Sequence, residues 1–192
     1  MAKESTFKNM TLTLLMITLI SSACLGLVYY FTNEPIENAK NAKVNNAISK
    51  VLPKFDNKPT SQMFEREVDG GTLVFYPATS KGESVGMAIQ TFTKNGFGGP
   101  ISLMVGFLPD GTIHAIEVIS HKETPGLGDK LESGKSDFSV QFKGQNPKDF
   151  KLALTKDGGN VDAITASTIS SRAYCDAVER AYNAFMMEGG AK

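Results

Sequence analysis

The hydrophobic pattern divides the chain into three stretches. From Thr11 to Phe31 no charged residue occurs, and Leu, Ile, Met, Val, Tyr and Phe dominate. A helix of that length, at about 1.5 Å per residue, covers about 30 Å, the thickness of a bilayer core. Beyond it the apolar residues become periodic. Ile36, Ala39, Val44, Ala47, Ile48 and Val51 trace a helical stripe that starts at Asn33-Glu34-Pro35 and ends before Pro53. Lys54 to about Gly71 is polar and carries no clear period. Strand-like runs follow at Leu73–Tyr76, Ser84–Phe92, Ile101–Leu108 and Thr112–Ser120, the last two joined by the turn sequence Pro109-Asp110-Gly111. Phe138–Phe142 and Phe150–Leu154 read as weaker strands. Ile169, Ala173, Ala177, Ala181 and Phe185 then recur every fourth residue, predicting an amphipathic helix to about Met187, closed by Gly189-Gly190. Strands bracketed by helices predict an α+β domain with an antiparallel sheet. The expected organisation is a tail over 1–10, a transmembrane helix over 11–31, a helical and irregular connector over 32–70, and a folded domain over 71–192.

The apolar segment is longer than the core of a cleaved signal peptide, and Tyr29-Tyr30-Phe31 has the character of an interfacial belt. Ser21-Ser22-Ala23-Cys24 suggests a lipoprotein site, but position 21 lacks the usual aliphatic residue and Leu25–Phe31 stays apolar after the cysteine. A single uncleaved span is the expectation. Lys3 and Lys8 lie closer to it than Lys40 and Lys43, which favours a short inner N-terminal tail and a C-terminal domain outside. In a bacterium that is the cytoplasmic (inner) membrane, with the domain on the periplasmic or outer side.

Composition adds mainly exclusions. Twenty basic residues balance twenty acidic ones in 192, so no charge excess points to nucleic acid. Cys24 lies in the span and Cys175 in the last helix, a placement that excludes their pairing, and no cluster suggests a metal. His114 and His121 are read as structural or solvated rather than catalytic.

Two segments carry candidate chemistry. Asp162-Ala163-Ile164-Thr165-Ala166-Ser167-Thr168-Ile169-Ser170-Ser171 runs into the last helix. Alone, it is an ordinary hydroxyl-rich helix cap. It also places Thr168 at a helix N-terminus, where free amides favour a phosphate, with Arg172 one turn later on the same side as a partner for that charge. Ala166 and Ser167 leave the backbone open around it. The second segment is Glu123-Thr124-Pro125-Gly126-Leu127-Gly128, after the strand ending near Ser120. Alone, it is a surface loop whose glycines permit close approach of a flat ligand.

Together with Gly96-Phe97-Gly98-Gly99-Pro100-Ile101, these segments resemble the FMN-binding subunits of bacterial respiratory complexes. The resemblance spans most of residues 85–175, in the family's order. The chain looks like the G subunit of the Rnf complex, the ion-translocating oxidoreductase linking ferredoxin and NAD. The alternatives are the related C subunit of the sodium-pumping NADH:quinone reductase, whose proteins are usually longer, and, from other classes, a cofactor-free anchored binding or assembly domain or a stand-alone flavin reductase. The resemblance implies one FMN-binding domain and a covalent FMN joined by a phosphoester to Thr168 by a flavin transferase. It implies Asp162, Thr165 and Ser171 in acceptor recognition or phosphate contact. It implies Glu123, Thr124 and Leu127 along the flavin ring, with Gly126 and Gly128 permitting its approach. The implied partners are the other membrane and redox subunits of the complex and the lipid bilayer, with no independent catalytic activity in this chain. Where the family commonly has Gly-Ala before the acceptor, this chain has Ala166-Ser167. Glycine there would permit backbone angles that alanine resists.

Overall fold

The computed structural model describes residues 6–189. Lys3, which bears on orientation, and Gly190, expected at the close of the last helix, lie outside the described residues. The chain divides into two compact units, Met1–Ala42 and Lys43–Lys192.

The first unit is formed by helix α1, Phe7–Val51, whose remaining residues belong to the second. It is long and apolar enough to cross a membrane. Leu12, Leu14, Leu15, Ile17, Leu19, Ile20, Leu25, Leu27 and Val28 are all exposed, on every side of the helix. A helix apolar all round has no face that favours water. Its threonine hydroxyls are satisfied internally: Thr11 donates to the Phe7 carbonyl at 2.9 Å and Thr13 to Asn9 at 2.7 Å, while Thr18 reaches Leu15 at 2.9 Å. Hydrocarbon offers no other partner for them. The helix start expected at Asn33-Glu34-Pro35 is not a boundary. Pro35 lies inside α1, which continues although the ring removes one backbone donor.

The second unit is built on a five-stranded antiparallel meander in the order β1-β2-β3-β4-β5. The strands are β1 Phe64–Val68, β2 Gly71–Ser80, β3 Glu83–Thr93, β4 Ile101–Phe107 and β5 Ile113–Ser120. Helix α2, Thr168–Met187, covers one face and the last turns of α1 cover the other. Alternation sorts the side chains. Leu73, Phe75, Ile89, Leu103 and Val105 pack with Ala173, Ala177, Val178 and Ala181 of α2. Tyr76, Ala78, Ala88 and Met104 pack with Ala47, Ile48 and Val51. Two hydroxyls fix α2 on β3: Thr91 donates to the Ala177 carbonyl at 2.9 Å and Thr93 to Asp176 at 2.6 Å. Cys175 is buried on α2, and burial pushes its thiol up to about 12.

Three further expectations are corrected. The polar stretch after Lys54 contains β1, an edge strand whose Glu65, Arg66 and Glu67 face solvent while Phe64 stacks on Phe75. Phe138–Phe142 is a 3-10 helix, not a strand. Phe138 and Phe142 both meet Tyr174, with ring centroids 5.2 Å apart in each case, while Val140 between them is exposed. Phe150–Leu154 is irregular and joins only an isolated bridge from Leu154 to Val161.

Gly106 of β4 marks the closest approach of α1 to the sheet. A Cβ there would sit 1.9 Å from the Val51 carbonyl oxygen, against backbone that has no room to yield. Gly106→Ala is expected to lower stability by about 2 kcal/mol or more, read as a reduced urea midpoint of the full chain in detergent.

Candidate flavin site

The meander positions the site at one end of the sheet. Its β3–β4 connection carries Phe97 and Gly98, the segment after β5 carries Glu123–Gly128, and the N-terminus of α2 lies beside both. A groove of about 310 Å³ opens there, in the range of small-molecule sites. Phe97, Glu123, Thr124, Leu127 and Gly128 line one side, and Ala166, Ser167, Thr168, Ile169 and Ser170 line the other. The two motifs read from the sequence therefore meet on one cleft.

Glu123 is 5% exposed and holds the cleft together. One carboxylate oxygen accepts the Gly98 N–H at 3.0 Å, and the other accepts the Ser170 hydroxyl at 2.5 Å. Its own N–H donates to Nδ1 of His121 at 3.0 Å, which leaves the imidazole proton on Nε2 for Glu132 at 2.7 Å. The hydrogen bond from His121 is the first cause holding the Glu132 carboxyl below its usual range. His121 is thus a bracket for the loop. Gly128 packs under Glu123, where a Cβ would meet its Oε2 at 2.6 Å and the Ser170 Oγ at 2.9 Å.

The segment leading into α2 is shaped by two devices. Ser171, fully buried, accepts the Ile164 N–H at 3.0 Å and donates to the Ser167 carbonyl at 2.9 Å, closing residues 164–171 into a tight corner. Ala166 takes a left-handed φ of 61°, the conformation that favours glycine. Thr168 is the first residue of α2, half-buried, and lines the groove. The preceding Ser167 side chain makes no capping hydrogen bond, so the first amides of α2 keep their donors.

The remaining residues singled out from sequence lie off the groove lining. Asp162 is exposed and tied through its backbone to Gln141 at 2.8 and 3.2 Å. Thr165 is exposed in the turn, and Gly126 turns the loop at a φ of 78° with nothing packed on it. Arg172 forks onto Asp157, at 2.7 and 2.8 Å. The hydrogen bond from Arg172 is the first cause holding Asp157 below the usual carboxylate range, and the charge of Lys156 adds to it. Two participants carried no signal of their own in the sequence: Phe97 lay within a noted stretch without being singled out, and Lys156 donates to the Thr168 hydroxyl at 2.7 Å.

The groove suits a flat, amphipathic ligand with an anionic end. Phe97, Leu127 and Ile169 expose apolar side chains around it, 68%, 42% and 49% exposed, which a ring system would cover. The threonine hydroxyl, the ammonium beside it and the free helix amides supply the polar end.

Comparison with known proteins agrees with that chemistry. Residues 96–183 match the family model of the FMN-binding domain. The G subunit of the ion-translocating oxidoreductase complex of Shewanella piezotolerans is 33% identical over 189 residues, covering 93% of this chain and 89% of its own. Its counterpart of the same name from Vibrio cholerae is 33% identical over 173 residues, covering 84% and 82%. The chain belongs to this family of G subunits. The crystal structure of Shewanella oneidensis NqrC is also similar, with a TM-score of 0.48, 22% identity, and coverage of 68% of this chain and 63% of that one.

Two expected outcomes follow from the geometry. Glu123→Ala strands the Gly98 N–H and the Ser170 hydroxyl, and should lower stability by about 2–4 kcal/mol in denaturant titration. Ala166→Gly removes the left-handed strain and should raise stability by about 1 kcal/mol, as a higher midpoint at unchanged slope.

Proposed function

We propose that this chain is the FMN-carrying electron-transfer subunit of an Rnf-type ion-translocating ferredoxin:NAD oxidoreductase. In this reading FMN is joined by a phosphoester to Thr168. The observation that carries it is the placement of Thr168, on the first turn of α2 and at the rim of a groove formed by both motifs.

FMN, when attached, supplies one- and two-electron redox chemistry, and the protein sets its position and surroundings. The chain's own residues do the holding. Thr168 supplies the acceptor oxygen, while Glu123 locks the ring-side loop to α2 through Ser170. Leu127, Phe97 and Ile169 offer apolar contact, and Thr124 lies at the edge of the groove. Asp162, Thr165 and Ser171 present the acceptor corner to a flavin transferase, with Ser171 acting through the corner's fold. Gly126 and Gly128 keep the loop low enough for a ring to lie on it.

In this reading α1 anchors the protein by a single pass in the bacterial cytoplasmic membrane, with the flavin domain on the periplasmic or outer side. A loosely bound flavin would be diluted away there, and an ester removes dissociation altogether. The electron partners are redox and membrane subunits of the same complex, and the chain has no substrate chemistry of its own.

The test is flavin fluorescence of the denatured chain on a gel, after co-expression with a flavin transferase. Wild type is expected to fluoresce and Thr168→Ala to be dark. A dark wild-type band, with the transferase active on a control substrate, would sink this reading.

A further inference from the structure

We propose that Lys156 is the residue that prepares the Thr168 hydroxyl for attachment and afterwards neutralises the attached phosphate. The inference rests on Thr168 being the acceptor. The Lys156 ammonium donates to Thr168 Oγ1 at 2.7 Å. An exposed lysine ordinarily moves among many conformers or pairs with an acid. Here the neighbouring acid, Asp157, has both oxygens taken by Arg172. The ammonium is left on a neutral hydroxyl, with charge in hand for an anion.

The backbone beneath Lys156 is braced from several sides. Residues Thr155–Asp157 form a 3-10 turn ended by Gly158 in the left-handed region at a φ of 79°. The Thr155 N–H donates to the Val161 carbonyl at 2.8 Å, and the Gly159 N–H to Leu154 at 2.9 Å. A Cβ on Gly159 would fall 2.1 Å from the Ala153 carbonyl oxygen, so the return of this loop is as tight as backbone permits. The Arg172–Asp157 fork then fastens the turn to the second turn of α2. Arg172 is thereby a positioning residue: it holds the turn that delivers Lys156 to the hydroxyl one helical turn before it.

Joining an alcohol to a phosphate in water requires an activated donor, a flavin nucleotide whose phosphate is part of an anhydride. The Thr168 Oγ1–P bond forms and the anhydride P–O bond breaks. The leaving phosphate keeps the bridging oxygen, the hydroxyl proton goes to solvent, and no electrons are transferred. Negative charge on the phosphoryl oxygens is greatest as the bonds exchange, and a fixed ammonium beside Oγ1 stabilises it there. The product diester keeps one negative charge, which the same ammonium meets.

The test follows the rate of flavin attachment to the full chain in detergent, purified without flavin. Purified transferase and flavin adenine dinucleotide are added, and band fluorescence is read after denaturation. Lys156→Gln keeps a donor, one carbon nearer the backbone, but loses the charge. It should lower kcat about tenfold or more, with KM for the acceptor chain within about twofold of wild type. Lys156→Arg, which restores the charge, should recover most of the rate. Asp157→Asn loosens the turn without altering Lys156 and should lose part of the rate, recovered in the swapped pair Asp157→Arg/Arg172→Asp. Wild-type rates in both Lys156→Gln and Asp157→Asn overturn the proposal. So does a loss in Lys156→Gln confined to KM, which would make Lys156 a docking contact for the transferase. Absence of labelling in wild type would instead count against Thr168 as acceptor, and so separates the two readings.

Discussion

The site depends on one buried carboxylate. Glu123 joins three segments that are remote in sequence: the β3–β4 connection through the Gly98 amide, its own loop, and α2 through the Ser170 hydroxyl. A buried charge is tolerated only when hydrogen-bonded, and here each oxygen has a donor. The glycines around it follow from the same constraint. A Cβ on Gly98 would fall 1.8 Å from the Lys122 carbonyl oxygen, and one on Gly128 would strike Glu123 itself. The two glycine-bearing stretches and the start of α2 are therefore walls around a single side chain, and the groove is the space their packing leaves open.

That dependence explains what was legible beforehand. The central strands were readable because each alternates between two buried faces, and α2 because its small apolar residues recur with helical period. β1 escaped because Glu65, Arg66 and Glu67 leave only Phe64 and Val68 to signal burial. Phe138–Phe142 misled because Phe, Val and Phe alternate as in a strand. Its burial follows a spacing of four, set by the ring of Tyr174. Pro35 misled in the opposite way: it has the character of a first-turn proline, yet α1 runs through it from Phe7 to Val51.

The two motifs could be placed from sequence, but their internal division of labour could not. Ser171 reads as one more exposed hydroxyl, yet it is fully buried and braces the corner. Arg172 has the spacing of a partner for a phosphate on Thr168, and the sequence did not show that it also forms a bidentate fork with Asp157. Lys156 had no motif around it. Its place beside Thr168 arises from a turn, a bridge and an ion pair, none of which has a sequence period. Ala166 is the instructive case, because a departure from the family's glycine was visible as a letter. Only the φ of 61° shows that Ala166 holds the backbone conformation that glycine favours.

An electron carrier has to satisfy two demands that oppose each other. Its cofactor must be exposed enough for electrons to enter and leave, yet it must not dissociate. Deep burial meets the second at the expense of the first. The groove here is shallow, and its apolar rim residues Phe97, Leu127 and Ile169 are themselves substantially exposed. Contacts of that kind orient a ring, while the apolar area they can bury is confined to a few rim side chains. With FMN esterified to Thr168 as proposed, retention no longer depends on the rim. The bond fixes the phosphate end to a helix anchored on β3 through Thr91 and Thr93, and the rim has only to align the ring. An open groove beside a rigidly held hydroxyl is then the arrangement those two demands jointly select.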